Sequence, residues 1–508
     1  MATSRARTYQ GWQQEQVTFL VGLTGRQAAI VAAAAVLGLQ PIAAGRLATA
    51  VLAWPLAAFL VAAAFARLAG RTIDEWVMCM LSFGILRAQR KTTFLGGAFA
   101  PPQVSESAFD LPGVLAPLRL LDAEAAGGTR LAVLHHPQDG TYAAVARLTF
   151  PGIGLSDTAR RDARVDAWGG VLAGLCAEGH PLTRLQVVHR AVPEHGESLR
   201  AWHVDHLDPA APLAAALANE SLLSSVAPAS SQRHSWLVAT MDARRAALAI
   251  RGAGGGDAGA CAVLRRQLRT LEPALAGADL EVGGWLDPRE LAEVIRTAFD
   301  PDAESLLEQR RATTLAAQAR GQHVSGVAAG IAPALAGPAA AEASWSTYRH
   351  DGAYSVTFAI HGWPLSAVYA TALAPLMAES PYRRSAAFYF EPLGPREAAR
   401  RVMAERTKRE VAIRLRQRTG QAVSAVERTE LARAADQDAD RAAGHGLIRF
   451  TGYVTVTATD PEQVDDACAE LQASAAAAGI ELRRMYGAQD VGFALTLPVG
   501  VGLPKRRW

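Results

Sequence analysis

The stretch LAVLHHPQDGTYAAVARLTF, Leu131–Phe150, sets the fold class. Two runs of β-forming residues flank Pro137-Gln138-Asp139-Gly140, whose proline and glycine suit a tight reversal, so the segment reads as a hairpin. Residues 156–178 follow with helical spacing of Val165, Trp168, Val171, Leu172 and Leu175, and LTRLQVVHRAV then supplies another strand. Strand, strand, helix, strand is an α+β signature.

The same grammar continues outward. HSWLVATMDA (234–243) is a strand, Ala258 to Leu275 a helix and LEVGGWL a strand. DPRELAEVIRTAF then opens with Asp287 as N-cap, Pro288 at the first helical position and Glu290 completing a capping box. The block from Gly446 to Pro498 repeats this order of strand, helix, strand and short helix, so a weak internal repeat of ferredoxin-like halves is expected. Alternation at Tyr354, Val356, Phe358 and Ile360 marks a strand between them. Residues 312–341, rich in Ala, Gly and Pro, read as a linker between a first α+β domain (104–311) and a second (342–508). Within the second, residues 396–443 form a long charged helical arm. Its basic part, with Arg400, Arg401, Arg406, Arg409 and Arg416, is a candidate surface for a partner or for nucleic acid. Interleaved acids and a lack of aromatics favour a solvated arm, and nucleic acid is not expected as a partner.

Ahead of these domains, AAIVAAAAVLGLQPIAAGRLATAVLAWPLAAFLVAAAFARLAGR (28–71) carries one charge, Arg46, between Arg26 and Arg67. Two runs near the roughly 20 residues needed to cross about 30 Å of hydrocarbon lie back to back. The expectation is a two-helix transmembrane hairpin at 27–68, kinked at Trp54-Pro55 and turning at Arg46, after a cytoplasmic segment at 1–26. Basic flanks at both ends place both termini on the cytoplasmic side of the inner membrane. A juxtamembrane amphipathic helix and linker at 72–100, with Trp76 on its apolar side, would lie on the membrane surface. The lipid bilayer is therefore an expected partner.

Composition excludes little: 508 residues with a net charge of +3 say nothing decisive about partners. Cys79, Cys176, Cys261 and Cys468 form no C-x-x-C pair, which argues against a zinc knuckle or a disulfide framework. Gly254-Gly255-Gly256-Asp257-Ala258-Gly259 fits the letters of a dinucleotide loop, but no apolar strand runs into it. No G-x-x-x-x-G-K-[ST] loop and no G-x-S-x-G elbow occurs. His203, Asp205 and His206 lack a second ligand cluster, and Arg349-His350-Asp351 and His135-His136 read as polar residues at strand edges. No catalytic residue, cofactor or metal is assigned.

Four phrases carry a resemblance: TYQGWQQEQ (8–16), GRTIDEW (70–76), SWSTYRHDGA (344–353) and RRMYGAQDVGFALTLPVG (483–500). With the apolar hairpin they resemble an actinobacterial integral-membrane family containing the EccE-type component of type VII secretion. The block 446–498 is also similar to the domain preceding the motor in conjugation-type (type IV) secretion ATPases. The resemblance implies a non-enzymatic, membrane-anchored structural subunit, an oligomeric assembly, and an ATPase supplied as a separate chain. The alternatives are a membrane-bound nucleotide-using enzyme and a membrane-tethered nucleic-acid adaptor.

Overall fold

The computed structural model describes residues 25–502 apart from interruptions, of which the longest are 97–108, 194–202, 314–329 and 419–427. The chain divides into two compact units. The first holds residues 90–392 and 448–507; the second holds 10–89 and 393–447.

The first unit is built on a 13-stranded sheet. In chain order its strands are β1 (Thr93–Leu95), β2 (Arg119–Glu124), β3 (Arg130–His136), β4 (Thr141–Thr149), β5 (Leu182–Pro193), β6 (Ser231–Asp242) and β7 (Glu281–Trp285). They continue with β8 (Ala340–Ala343), β9 (Tyr348–His350), β10 (Ala353–Gly362), β11 (Arg383–Leu393), β12 (Leu447–Ala458) and β13 (Glu481–Arg484). The spatial order is β1-β8-β9-β10-β12-β11-β5-β6-β4-β3-β2, with β7 beside β4 and β13 beside β10.

From β8 inward and from β2 inward this order mirrors itself. One half runs β7-β4-β6-β5 and the other β13-β10-β12-β11, each the strand order of a ferredoxin-like unit extended by a preceding hairpin. The halves join where β5 pairs antiparallel with β11, Val188 opposite Ala387. The end of the Ala/Gly/Pro-rich stretch is structured, since Ala340–Ala343 is a strand and the 3₁₀ turn Pro333–Leu335 precedes it.

Among the described helices are α1 (Gly25–Ala43), α2 (Ala50–Phe65), α3 (Ile73–Ala88), α4 (Thr158–Leu175), α5 (Leu213–Val226), α6 (Ala247–Gly252) and α7 (Gly256–Ala276). After them come α8 (Pro288–Phe299), α9 (Pro395–Arg418), α10 (Val464–Ala477) and α11 (Gln489–Leu495). One face of the sheet is apolar. In the first half Leu131, Val133, Leu185, Leu237 and Met241 pack against Leu172 and Leu175 of α4 and Val263, Leu264 and Leu268 of α7. In the second half Val356, Phe358, Val454 and Val456 pack on Ala467, Cys468 and Leu471 of α10, with Leu376 beneath. Each fully buried aliphatic side chain contributes about 1.5–3 kcal/mol.

The opposite face is covered by α8 and α11. Asp287 caps α8 by accepting from Arg289 N and Glu290 N, and Glu290 reaches back to Asp287 N. The turn Pro333–Leu335 packs on α8 and the turn Gly113–Leu115 packs on α11, so each half's lead-in segment lies on the other half's last helix.

The second unit contains α1, α2, α3 and α9. Helices α1 and α2 pack together, with Trp54 Nε1 donating to Gly38 O at 3.1 Å. The expected transmembrane hairpin is corrected here: among the described residues no helix is long and apolar enough to cross a membrane. Helix α2 has 16 residues, about 24 Å at 1.5 Å per residue, short of about 30 Å of hydrocarbon. Helix α1 begins with Gly25-Arg26-Gln27 and carries Gln40-Pro41 near its end, which shortens its apolar core. The two-span inner-membrane localisation, the lipid bilayer as partner and the membrane-anchored role lose their basis with it.

Candidate functional site

The residues picked from sequence are scattered. Trp54 is half exposed on α2, Pro55 lies inside that helix, and Arg46 lies outside the described residues. Trp76 is half-buried on α3, with the Arg71 guanidinium 5.6 Å from its ring centre. Arg400, Arg401, Arg406, Arg409 and Arg416 all lie on α9. Much of that charge is spent locally: Arg401 pairs with Glu397 at 2.9 Å, Arg409 with Glu405 at 3.1 Å and Arg406 with Glu410 at 3.0 Å. Arg414 also reaches Glu410, at 3.6 Å. These i,i+4 pairs follow helix geometry and leave little of a continuous basic face. Arg400 stands exposed.

The glycine loop does not hold a nucleotide's setting. It joins α6 to α7, helix to helix, with φ of +102° at Gly254, +74° at Gly255 and +59° at Gly256. Asp257 occupies the first turn of α7 and accepts from Tyr142 Oη at 2.7 Å, placing a negative charge where a phosphate would sit. His203 has Asn219 Nδ2 3.2 Å from its Nδ1, and Asp205 lies outside the described residues. Among the described residues no group of three or more His, Cys, Asp or Glu could hold a metal, and the four cysteines are free.

What the sequence reading missed is a buried polar layer between the sheet and helices α8 and α11. Strand alternation places Ser355 and Thr357 of β10 and Thr455 and Thr457 of β12 on this face. His350, at the end of β9, is fully buried; its Nδ1 lies 2.5 Å from Phe299 O, the end of α8, and its Nε2 2.8 Å from Ser355 Oγ. Ser355 Oγ is 2.8 Å from Thr457 Oγ1. Thr357 Oγ1 is 2.7 Å from Thr455 Oγ1, which is 2.8 Å from Thr496 Oγ1. The Thr357 amide donates to Gln489 Oε1 of α11 at 2.8 Å. Gly492 is needed there because a Cβ would press into the Thr357 side chain.

A counterpart stands in the first half. His136, at the end of β3, has its Nε2 2.9 Å from Val499 O, just beyond α11. Gln186 of β5 donates to Leu497 O at 2.7 Å and accepts from Gly500 N at 3.1 Å, and Tyr389 of β11 donates to Leu495 O at 2.7 Å. Gly500, at φ +64°, lies against Ala143, Val238 and Thr240 where a side chain would collide. Each half thus holds the C-terminal end of the other's terminal helix through one buried histidine. Phe299 and Phe493 bring the two helices together, ring centroids 5.0 Å apart. Burial pushes His350 down to about 4, against the Phe299 carbonyl that favours its charged form, so it is neutral at ordinary pH. Burial lowers His136 as well.

A signal for this layer was present in the chain. His136, Asp139-Gly140 and Tyr142 recur as His350, Asp351-Gly352 and Tyr354, two residues tighter in the turn.

Among known proteins, the family described as "Putative type VII ESX secretion system translocon, EccE" matches residues 229–360, about a quarter of the chain. No curated protein matches. The matched stretch runs from β6 to β10, and it includes both partners of the Phe299–His350 contact. Over that stretch the chain is similar to a secretion-system component.

Proposed function

We propose that the chain is a non-catalytic assembly subunit of a secretion apparatus of the type VII kind. The observation that carries this reading is the similarity of residues 229–360 to the EccE family. Residues 104–311 and 342–508 then act as paired docking platforms. Support comes from the helix-to-helix setting of the 254–259 glycines and from the ion-paired basic residues of α9, neither of which favours a nucleotide-using enzyme or a nucleic-acid adaptor. Large apolar residues exposed on the second unit, Val51, Leu52, Phe59, Met80 and Leu81 among them, are the kind of surface that protein contacts cover.

The test is photo-crosslinking in the native host from positions 52, 59 and 80, with affinity purification and mass spectrometry. Crosslinks to other components of one secretion apparatus are expected. A chain that purifies alone, uncrosslinked at all three positions, overturns the reading.

A further inference from the structure

The sheet face beneath α8 gathers several cationic side chains. Arg190 of β5 lies opposite His234 of β6 and Ser385 of β11, Trp236 follows two residues after His234, and Arg383 stands two before Ser385. Arg147 of β4 is opposite Trp236. Alternation puts all of these on one face.

Arg190 is 1% exposed, its guanidinium 4.8 Å from the centre of the Trp236 ring. Its Nη1 donates to Val294 O at 3.3 Å and Thr297 Oγ1 at 3.2 Å. Its Nε and Nη2, which form one edge of the guanidinium fork, have no hydrogen-bond partner, and neither do Arg383 Nη2, Trp236 Nε1 or His234 Nε2. Among the described residues, the carboxylate of Glu304 pairs with the group. Glu304 accepts from Arg383 Nη1 at 2.8 Å, and its other oxygen is 3.7 Å from His234 Nε2.

Buried donors without acceptors are costly, and a guanidinium edge with both N–H groups unspent matches two oxygens of one oxyanion. Two buried arginines with Arg147 nearby, with Glu304 as a pairing carboxylate among the described residues, match a doubly charged tetrahedral group better than a carboxylate. The His234 side chain, 30% exposed, marks the approach from solvent. We propose that Arg190, Arg383, Trp236 and His234 form a binding site for a phosphate group, either free or as the terminal group of an ester. This assignment is independent of the assembly reading.

The experiment is calorimetric titration of the full chain with inorganic phosphate and, separately, with phenyl phosphate, each against chloride at matched ionic strength. Tryptophan fluorescence is followed in parallel, with W236F identifying the reporting residue. Saturable binding is expected. R190M should weaken it at least about tenfold, and E304Q, which removes the competing carboxylate, should tighten it several-fold. Tighter binding of phenyl phosphate identifies an ester as the natural occupant; tighter binding of inorganic phosphate identifies the free ion. Absence of saturable binding to the wild-type chain overturns the proposal, as does binding that E304Q leaves unchanged. The second criterion stands even if R190M fails to fold.

Discussion

The two halves of the large sheet share a strand order and a histidine latch, yet they fill their polar layers differently. In the second half, hydroxyls close on one another: Ser355 meets Thr457, Thr357 meets Thr455, and Thr455 meets Thr496. In the first half, arginine and tryptophan hold the corresponding layer, and Arg190, Trp236 and Thr240, joined by Arg383 from β11 of the second half, keep polar atoms unmatched. A duplicated architecture can thus close part of one copy on its own hydroxyls and leave unmatched donors where the two copies join. Burial, with Arg383 adding to it and Glu304 opposing, lowers Arg190 to about 9, the mark of a cation held without full compensation.

The strongest way to break the correspondence is to wedge apart the two lead-in segments. A Cβ at Gly337 would overlap the Asp110 carbonyl, and backbone cannot yield as a side-chain tip can. Gly337→Ala should cost about 3 kcal/mol in urea denaturation. Next come the latches themselves. His350→Ala strands both Phe299 O and Ser355 and should also cost about 3 kcal/mol, whereas His136→Ala, which loses the contact to Val499 O, should cost about 1–2 kcal/mol. Equal losses would mean that the halves are energetically alike and that the hydroxyl chain adds nothing.

Acid sharpens the same contrast. His350 has its folded pKa near 4, below the unfolded value of about 6.5, so the unfolded state binds more protons between those limits and stability falls as pH drops from about 6.5 toward 4. The loss from His350 is about 2 kcal/mol at pH 5. His189 and His234, also lowered to about 4 by burial, add to the slope. Thermal melts of wild type and His350→Gln between pH 7 and pH 5 check this, and a variant curve as steep as the wild type's counts against it. The smallest effect belongs to the second unit. Glu410→Ala, which removes two surface ion pairs of α9, should shift stability by about 0.5 kcal/mol and lose even that in high salt.

Legibility followed the physics of each segment. Helix α8 could be read because Asp287, Pro288 and Glu290 write its start in local chemistry. The β3–β4 hairpin could be read because its turn residues sit between two β-forming runs. The stretch 28–71 misled because alanine raises apolar counts without adding length: the helices it forms end at Ala43 and Phe65. The polar layer was hidden for a different reason. Ser355 and Thr357 alternate with Val356 and Phe358, a pattern that reads as a half-solvated strand, and only the distant α11 converts that wet side into a buried one. The arginine group was equally dispersed, with Arg190, His234, Glu304 and Arg383 drawn from four separate segments.

The reach from His136 to Val499 spans 363 residues. At about 5–20 residues per second, a ribosome takes roughly 20–70 s to travel that distance. For that interval the first half exists with its polar face unsealed, since the strand of chain that closes over Ala143, Val238 and Thr240 has not been made. Until residues 497–501 arrive, water must satisfy the polar groups of this face that the end of the chain later takes over.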